Sequence, residues 1–143
     1  TGPFLSGKTP NGDEIIVEAR LARPGTSTSP GVAEDVFARM RTSAGVEITV
    51  NSNRAEVDTK EGVARLLEDV AVVTSTGMDL RTQLLETALS GVSGRSPGQV
   101  VGTSPLGELT AGSMSFAAKN GEGPLHMVFK RGVKLLYQPQ NVD

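Results

Sequence analysis

Apolar and polar residues alternate along this chain in short runs, and three of those runs open in the same way. Gly12–Asp13–Glu14–Ile15, Gly45–Val46–Glu47–Ile48 and Gly77–Met78–Asp79–Leu80 each set a branched apolar residue three positions after a glycine. Gly107–Glu108–Leu109 is a copy one residue shorter. The glycines lie roughly 30–33 positions apart, the range of a repeat architecture. Each copy reads as a turn followed by residues that point alternately to two faces. A repeated antiparallel sheet is the expectation that follows.

Lys8–Thr9–Pro10–Asn11–Gly12 carries a strong turn signal. Ile15, Val17, Ala19 and Leu21 then share one face, opposite Glu14, Glu18 and Arg20, with Ile16 out of pattern. Arg23 to Gly31 is built from Pro, Gly, Ser and Thr and reads as a loop. Val46, Ile48 and Val50 alternate, Ala55 and Val57 continue the pattern, and Asp58 to Gly62 is a turn. Three stretches admit two readings. Val32, Val36, Phe37 and Met40 fall at helical spacing, with Glu34–Asp35 suited to a first turn; alone, this stretch favours a helix. Val63, Leu66, Leu67 and Val70 fit a helix, whereas Leu66, Val70 and Val72 fit a strand with Glu68 awkwardly at the same parity. Met78, Leu80 and Thr82 alternate, but Leu84, Leu85, Ala88 and Leu89 suit a helix. The repeat decides for strands, because cognate segments should share a conformation.

In the last third, Ser96–Pro97–Gly98 is a turn and Val100 starts a short strand. Leu109, Ala111, Met114 and Phe116 follow Gly107. Asn120–Gly121 is a hairpin signal, lengthened by Glu122–Gly123–Pro124. Leu125, Met127 and Phe129 alternate with His126, Val128 and Lys130, and Lys130–Arg131–Gly132 looks like a tight turn or bulge. Val133, Leu135 and Tyr137 close the final strand before a polar tail, Gln138 to Asp143.

Composition narrows the function. A length of 143 residues fits one domain, 1–143. Hydrophobic content of 37% with 17 Gly and 8 Pro is thin for a helical core and ordinary for short strands and many turns. A net charge of −2 and 3% aromatic residues argue against a nucleic-acid partner. Without Cys there is no disulfide or thiolate chemistry. The single histidine, His126, lies between apolar positions of a strand, and a zinc site needs more His or Cys. No Walker loop or dinucleotide fingerprint is present. The carboxylate pairs Asp13–Glu14, Glu34–Asp35 and Glu68–Asp69 read as solvated charges, since neighbours on a strand point to opposite faces. No catalytic residue, metal ligand or cofactor is expected. The longest apolar runs, Ile15–Ile16–Val17 and Val70–Ala71–Val72–Val73, fall far short of the ~20 residues that span a bilayer. The chain begins at Thr1, not Met, so removal of a targeting or anchoring segment fits.

Nearly the whole chain resembles the periplasmic lipopolysaccharide-transport proteins of the LptC family, with their LptA and OstA-type relatives. Phe4 to Gly12 leading into Ile15–Ile16–Val17–Glu18–Ala19 resembles the family's opening hairpin. Val46 to Val50, Ala55 to Asp58 and Leu66 to Val72 follow its strand–turn–strand rhythm. Val100 to Met114 resembles its late glycine-marked repeat, and Phe129 to Pro139 its shorter C-termini. These are patterns of Gly and aliphatics, and none carries catalytic chemistry. The main departure is at the front, where the single N-terminal membrane helix of LptC-type proteins is missing: either it was removed or this is a soluble relative of the LptA kind. The resemblance implies an antiparallel β-jellyroll, an OstA-like sheet folded and open along one side, in which Val32–Met40, Val63–Val73 and Met78–Leu89 are all strands. It implies that lipopolysaccharide acyl chains lie between the two halves. It implies that the protein works in the periplasm of a Gram-negative bacterium, anchored to the inner membrane by a segment missing here. Lipopolysaccharide would arrive from an inner-membrane ABC transporter complex of the LptB/F/G type. It would leave to a periplasmic bridge protein of the LptA type by edge-to-edge strand addition.

The groove residues on this reading are Ile15, Val17, Ala19, Val46, Ile48, Val50, Leu80, Leu109, Met127, Phe129, Leu135 and Tyr137. Such an aliphatic lining suits flexible alkyl chains. Burying a methylene contributes about 0.8 kcal/mol, so a twelve-carbon chain gains on the order of 8–10 kcal/mol before ordering costs. The partner edges are the terminal strands, at Phe4 and Leu5 toward the membrane complex and at Val133, Lys134 and Leu136 toward the bridge protein. The same edges allow a homodimer. The alternative is a structural β-repeat of the fibre or adhesin type, in which the inward residues form a closed core without lipid. A sugar-active enzyme would require a concave cluster of carboxylates.

Overall fold

The computed structural model describes residues 4–8, 12, 14–42, 44–58, 60–88, 92–118 and 125–137, with side chains left aside at 4–8, 118 and 125. The glycines of the repeat sit where the chain reverses. Gly12, Gly45, Gly77 and Gly107 have φ of 87°, 92°, 101° and 136°, a region that glycine adopts without a Cβ clash. Two of these turns share one bonding scheme. The N–H of Thr42 donates to the carbonyl of Val46 and that of Thr74 to the carbonyl of Met78, both at 2.9 Å. The N–H groups of Val46 and Met78 donate back to the Thr42 and Thr74 hydroxyls at 3.1 and 3.2 Å. At the fourth turn Ser104 takes the hydroxyl's place, accepting from the N–H of Leu106. A Thr or Ser three residues before the glycine, followed by Ser or Pro, recurs at all four turns, including Thr9–Pro10–Asn11–Gly12.

Between these turns run twelve strands: β1 (Phe4–Lys8), β2 (Glu14–Arg23), β3 (Gly31–Arg41), β4 (Glu47–Asp58), β5 (Val63–Thr74), β6 (Asp79–Ala88), β7 (Ser93–Ser96), β8 (Val100–Ser104), β9 (Gly107–Ala111), β10 (Ser113–Ala118), β11 (Leu125–Lys130) and β12 (Lys134–Tyr137). All belong to one antiparallel sheet, and no helix occurs among the described residues. β1 to β6 pair in sequence order. Beyond β6 the sheet divides, with β7, β10 and β11 continuing one half and β8, β9 and β12 the other. The register explains this division. β6 meets β7 through Glu86 and Arg95 but meets β8 through Arg81 and Val101, so one extra residue lies between β7 and β8. The same surplus separates β11 from β12 relative to β9 and β10. The last six strands are therefore three long strands, each broken at the same level.

That level crosses the entire sheet as a crease. It passes Asp35 in β3, Asn53 in β4, Glu68–Asp69 in β5 and Gln83 in β6, and then residues 97–99, Gly112 and residues 131–133. Asp35, Glu68, Asp69 and Arg131 have φ of 52°, 64°, 54° and 65°, and they are the non-glycine residues with positive φ among those described. A crease is required physically. Ile48, Val50, Val70, Val72, Leu80, Leu85 and Val100 are fully buried, yet the described chain supplies no second layer to cover them. Only the sheet itself can do so, by folding across its strands into a curled, jellyroll-like sandwich. One buried cluster accordingly unites residues from both sides of the crease, such as Ile48 and Leu80 with Leu66, Leu85 and Phe116.

Strands therefore form wherever the helical spacing was ambiguous. Val32 to Met40 lies within β3 and not in a helix, because its cross-strand partners and the positive φ of Asp35 override local periodicity. Val63–Val73 lies within β5 and Leu84–Ala88 within β6, while Leu89 falls outside the described residues. Glu68 escapes the core because the extra bulge residue turns it outward. Residues 130–132 form a bulge, in which the Gly112 N–H is shared between the carbonyls of Lys130 and Arg131 at 3.0 and 2.8 Å. β7 was not expected, since Ser93–Ser96 lacks the apolar alternation of a strand. The Asn120–Gly121 hairpin and the tail from Gln138 lie outside the described residues.

The left-handed backbone at Glu68 costs a non-glycine residue about 1–2 kcal/mol. Glu68→Val, whose branched Cβ suits this region least, is expected to lower unfolding free energy by a further ~1–2 kcal/mol. Glu68→Gly is expected to be near neutral, with relief of the clash offset by chain entropy. Urea denaturation of both variants measures the difference, and equal stabilities would remove the strain assigned to the crease.

Candidate functional site

The inner face is the first candidate, and the crease sets which residues it contains. In β3 the buried positions are Gly31 before the crease and Val36, Ala38 and Met40 after it; in β4 they are Ile48, Val50 and Ser52, then Ala55. Parity reverses because each bend places two successive residues outward. β2 shows the consequence. Ala22, itself exposed, opposes the half-buried Ala33 and so takes the parity of the inner face, while Leu21 pairs with Glu34 and is 49% exposed. The inward placement of Leu21 expected from simple alternation is thus corrected.

Of the proposed groove residues, Ala19, Ile48, Val50, Leu80 and Leu109 meet in the buried cluster, and Ile15, Val17, Met127 and Phe129 pack against it half-buried. Val46 is half-buried in a turn, outside any strand. Leu135 opposes Leu109 and so shares its face, but Leu135 and Tyr137 are 44% and 61% exposed and lie outside the cluster. Burial therefore grades along the sheet, from complete in β4 to β6 to partial in β2 and β11 and slight in β12.

Hydroxyls line the inside of the crease. The Thr82 and Ser96 hydroxyls lie 2.7 Å apart, and they donate to the carbonyls of Gln99 at 3.0 Å and Gly98 at 3.2 Å. Ser52 donates to the carbonyl of Arg54 at 3.1 Å. These bonds occupy carbonyls at the interrupted ladder, and an unmade bond at a buried group costs about 1–3 kcal/mol. Charges line the outside. Arg20 bridges Asp35 and Glu34, and the Asn53 amide donates to Asp69 at 3.3 Å. The hydrogen bond to Asp35, then its charge, raises the pKa of the exposed Arg20 above its ordinary value. Two of the three carboxylate pairs noted in the sequence, Glu34–Asp35 and Glu68–Asp69, are thus crease residues within strands. No group of three or more His, Asp or Glu among the described residues is arranged to hold a metal ion.

The two sheet edges form the second candidate. Among the described residues β1 pairs only with β2, placing Phe4 and Leu5 opposite Glu18 and Val17; their side chains lie outside the described set. At the other edge β12 pairs, among the described residues, only with β9, and its residues are exposed, including Lys134 and Leu136, with Val133 exposed just before it. No helix among the described residues is long and apolar enough to cross a membrane.

Sequence reasoning missed two features. The crease was signalled by Glu–Asp–Val at residues 34–36 and 68–70, a repeat hidden among solvated charges. A hollow of about 710 Å³ lies between the 24–30 loop and the end of β4, floored partly by Ala33 and Val57. It had no signal beyond a loop rich in Ser and Thr. No protein-family model matches the chain, and no curated protein sequence matches it.

The burial gradient is testable because the chain contains no Cys. Met127→Cys is expected to react readily with a small maleimide under native conditions. Val50→Cys is expected to be protected until the domain unfolds. Equal rates at both positions would show that the sheet closes or opens uniformly.

Proposed function

We propose that the protein is a non-enzymatic, lipopolysaccharide-binding conduit and adaptor of the periplasm, related to the LptC type. It receives lipopolysaccharide from an inner-membrane ABC extractor and passes it to a periplasmic bridge protein. One observation carries this reading: the apolar inner face is sealed in its middle strands but only half-covered at Ile15, Val17, Met127 and Phe129. Acyl chains entering at these ends would meet the apolar side chains of Ile15, Val17, Met127 and Phe129. The gain of about 0.8 kcal/mol per methylene is large enough to shelter a chain. Partial cover keeps the site shallow enough for release.

The exposed C-terminal edge supports the adaptor role. A strand that pairs on one side presents N–H and C=O groups to an incoming strand. β12 is such a strand among the described residues, and its own Leu135, Leu136 and Tyr137 expose apolar area. Complete burial of Ile48, Val50, Val72 and Leu80 favours the second reading, a structural β-repeat with a closed core.

Photocrosslinking separates the two. A benzophenone amino acid at Met127 or Ile15 is expected to capture lipopolysaccharide, whereas one at the adjacent, outward Val128 is not. Labelling of Met127 and Val128 to the same extent, or of neither in a folded protein, would leave the structural repeat as the better account. Separately, Leu135→Pro removes a ladder donor. It is expected to weaken capture of the bridge protein roughly three- to tenfold, as loss of about one hydrogen bond predicts. Undiminished capture would exclude this edge as the docking strand.

A further inference from the structure

The hollow beside the 24–30 loop has a divided chemistry. Its floor is apolar and small. Ala22 opposes Ala33, Ala33 opposes the buried Ala55, and Gly31 opposes Val57, so the floor continues the inner face of the sheet. Where the other half of the sheet carries Met40 and Ile48, these short side chains leave space. The volume of about 710 Å³ falls within the range of small-ligand sites, about 300–1,000 Å³.

The rim is polar and held in place. Thr26 donates its N–H to the Ser29 carbonyl at 2.8 Å, and its hydroxyl accepts from the N–H groups of Thr28 and Ser29 at 3.3 and 3.1 Å. The loop closes at a neck where a Cβ on Gly25 would stand 2.7 Å from the Gly31 nitrogen. A loop tied in this way loses little freedom when a ligand binds. Two cations line the same hollow. Lys60 Nζ reaches only the Ser27 carbonyl, at 3.5 Å, and Arg23 makes no ion pair among the described residues. Asp58, the carboxylate of the lining, accepts from the backbone N–H groups of Lys60 and Glu61 at 3.0 Å each. The balance of available charge is positive.

We propose that this hollow seats one acyl tail of an anionic amphiphile, with its head held by Arg23, Lys60 and the hydroxyls of the 26–29 loop. The inference rests on the lipid-carrier reading and gives one end of the curled sheet a defined ligand chemistry. The tail lies over Ala22, Ala33 and Val57, and the head stays at the wet rim.

Ser27→Trp places a single tryptophan at the rim of a chain that has none, and emission then reports occupancy. Titration with dodecyl phosphate, below its micelle concentration, is expected to saturate. Methyl phosphate lacks the tail and is expected to bind at least about tenfold more weakly. Dodecyltrimethylammonium carries the wrong charge and is expected to be weaker to a similar degree. In the same background Ala33→Phe fills the floor and is expected to weaken dodecyl phosphate about tenfold, and Lys60→Glu about fivefold. Circular dichroism confirms that each variant is folded. Binding of methyl phosphate as tight as that of dodecyl phosphate would make this a bare anion site and overturn the proposal. Equal affinity for the cationic amphiphile would overturn the head assignment. Dodecyl phosphate binding, followed by calorimetry, that survives Ala33→Phe and Lys60→Glu but is lost in Met127→Asp would refute the hollow while sparing the carrier reading. No binding by any variant would overturn both.

Discussion

A single sheet has to hide its own apolar face. The described strands supply no helix and no second sheet, so the buried residues of β4, β5 and β6 are covered only if the sheet turns back on itself. Strands of 10–12 residues, as in β2 to β6, resist such a turn unless the backbone is broken. The break comes at one level in successive strands, through bulges and left-handed residues. Each left-handed non-glycine residue costs about 1–2 kcal/mol. Each fully buried Val, Leu or Ile contributes about 1.5–3 kcal/mol. With seven such side chains having no exposure, burial outweighs the strain at Asp35, Glu68, Asp69 and Arg131.

Polar chemistry follows the bend on both surfaces. Inside, hydroxyls of Ser52, Thr82 and Ser96 satisfy carbonyls at the interrupted ladder. Outside, Arg20, Asp35, Asn53 and Asp69 bond across neighbouring strands and keep the convex surface hydrated. Carboxylate pairs that look like candidate acids and bases in a list of residues thus have a structural explanation. Asp and Asn tolerate left-handed backbone better than branched residues do.

The same construction produces the gradient of burial. Central strands have neighbours on both sides and a facing half of the sheet, and their side chains are closed off. β2 and β11 lie near the ends of the sheet and are half-covered, and β12 is exposed. Opening in proteins concentrates where buried apolar contacts are few. Opening therefore concentrates at the ends, the edges and the 24–30 loop, while Ile48 and Leu80 hold the scaffold.

The amino-acid sequence by itself determined the repeat, the turns and the period-two faces. Those are local properties: Gly45 and Gly77 must accept positive φ, and Ile48 and Val50 must lie on one side of a strand. It misplaced Leu21, because alternation breaks at the crease, where the successive residues Arg20–Leu21 and Glu34–Asp35 both face outward without any change of register. Periodicity within Val32–Met40 alone suited a helix, and only the repeat decided for the strand. Only the tertiary structure decided which apolar positions are sealed, which are half-open and where small residues leave a hollow. Exposure depends on how far a side chain lies from the crease and the sheet's ends, and those distances exist only once every strand has found its partner.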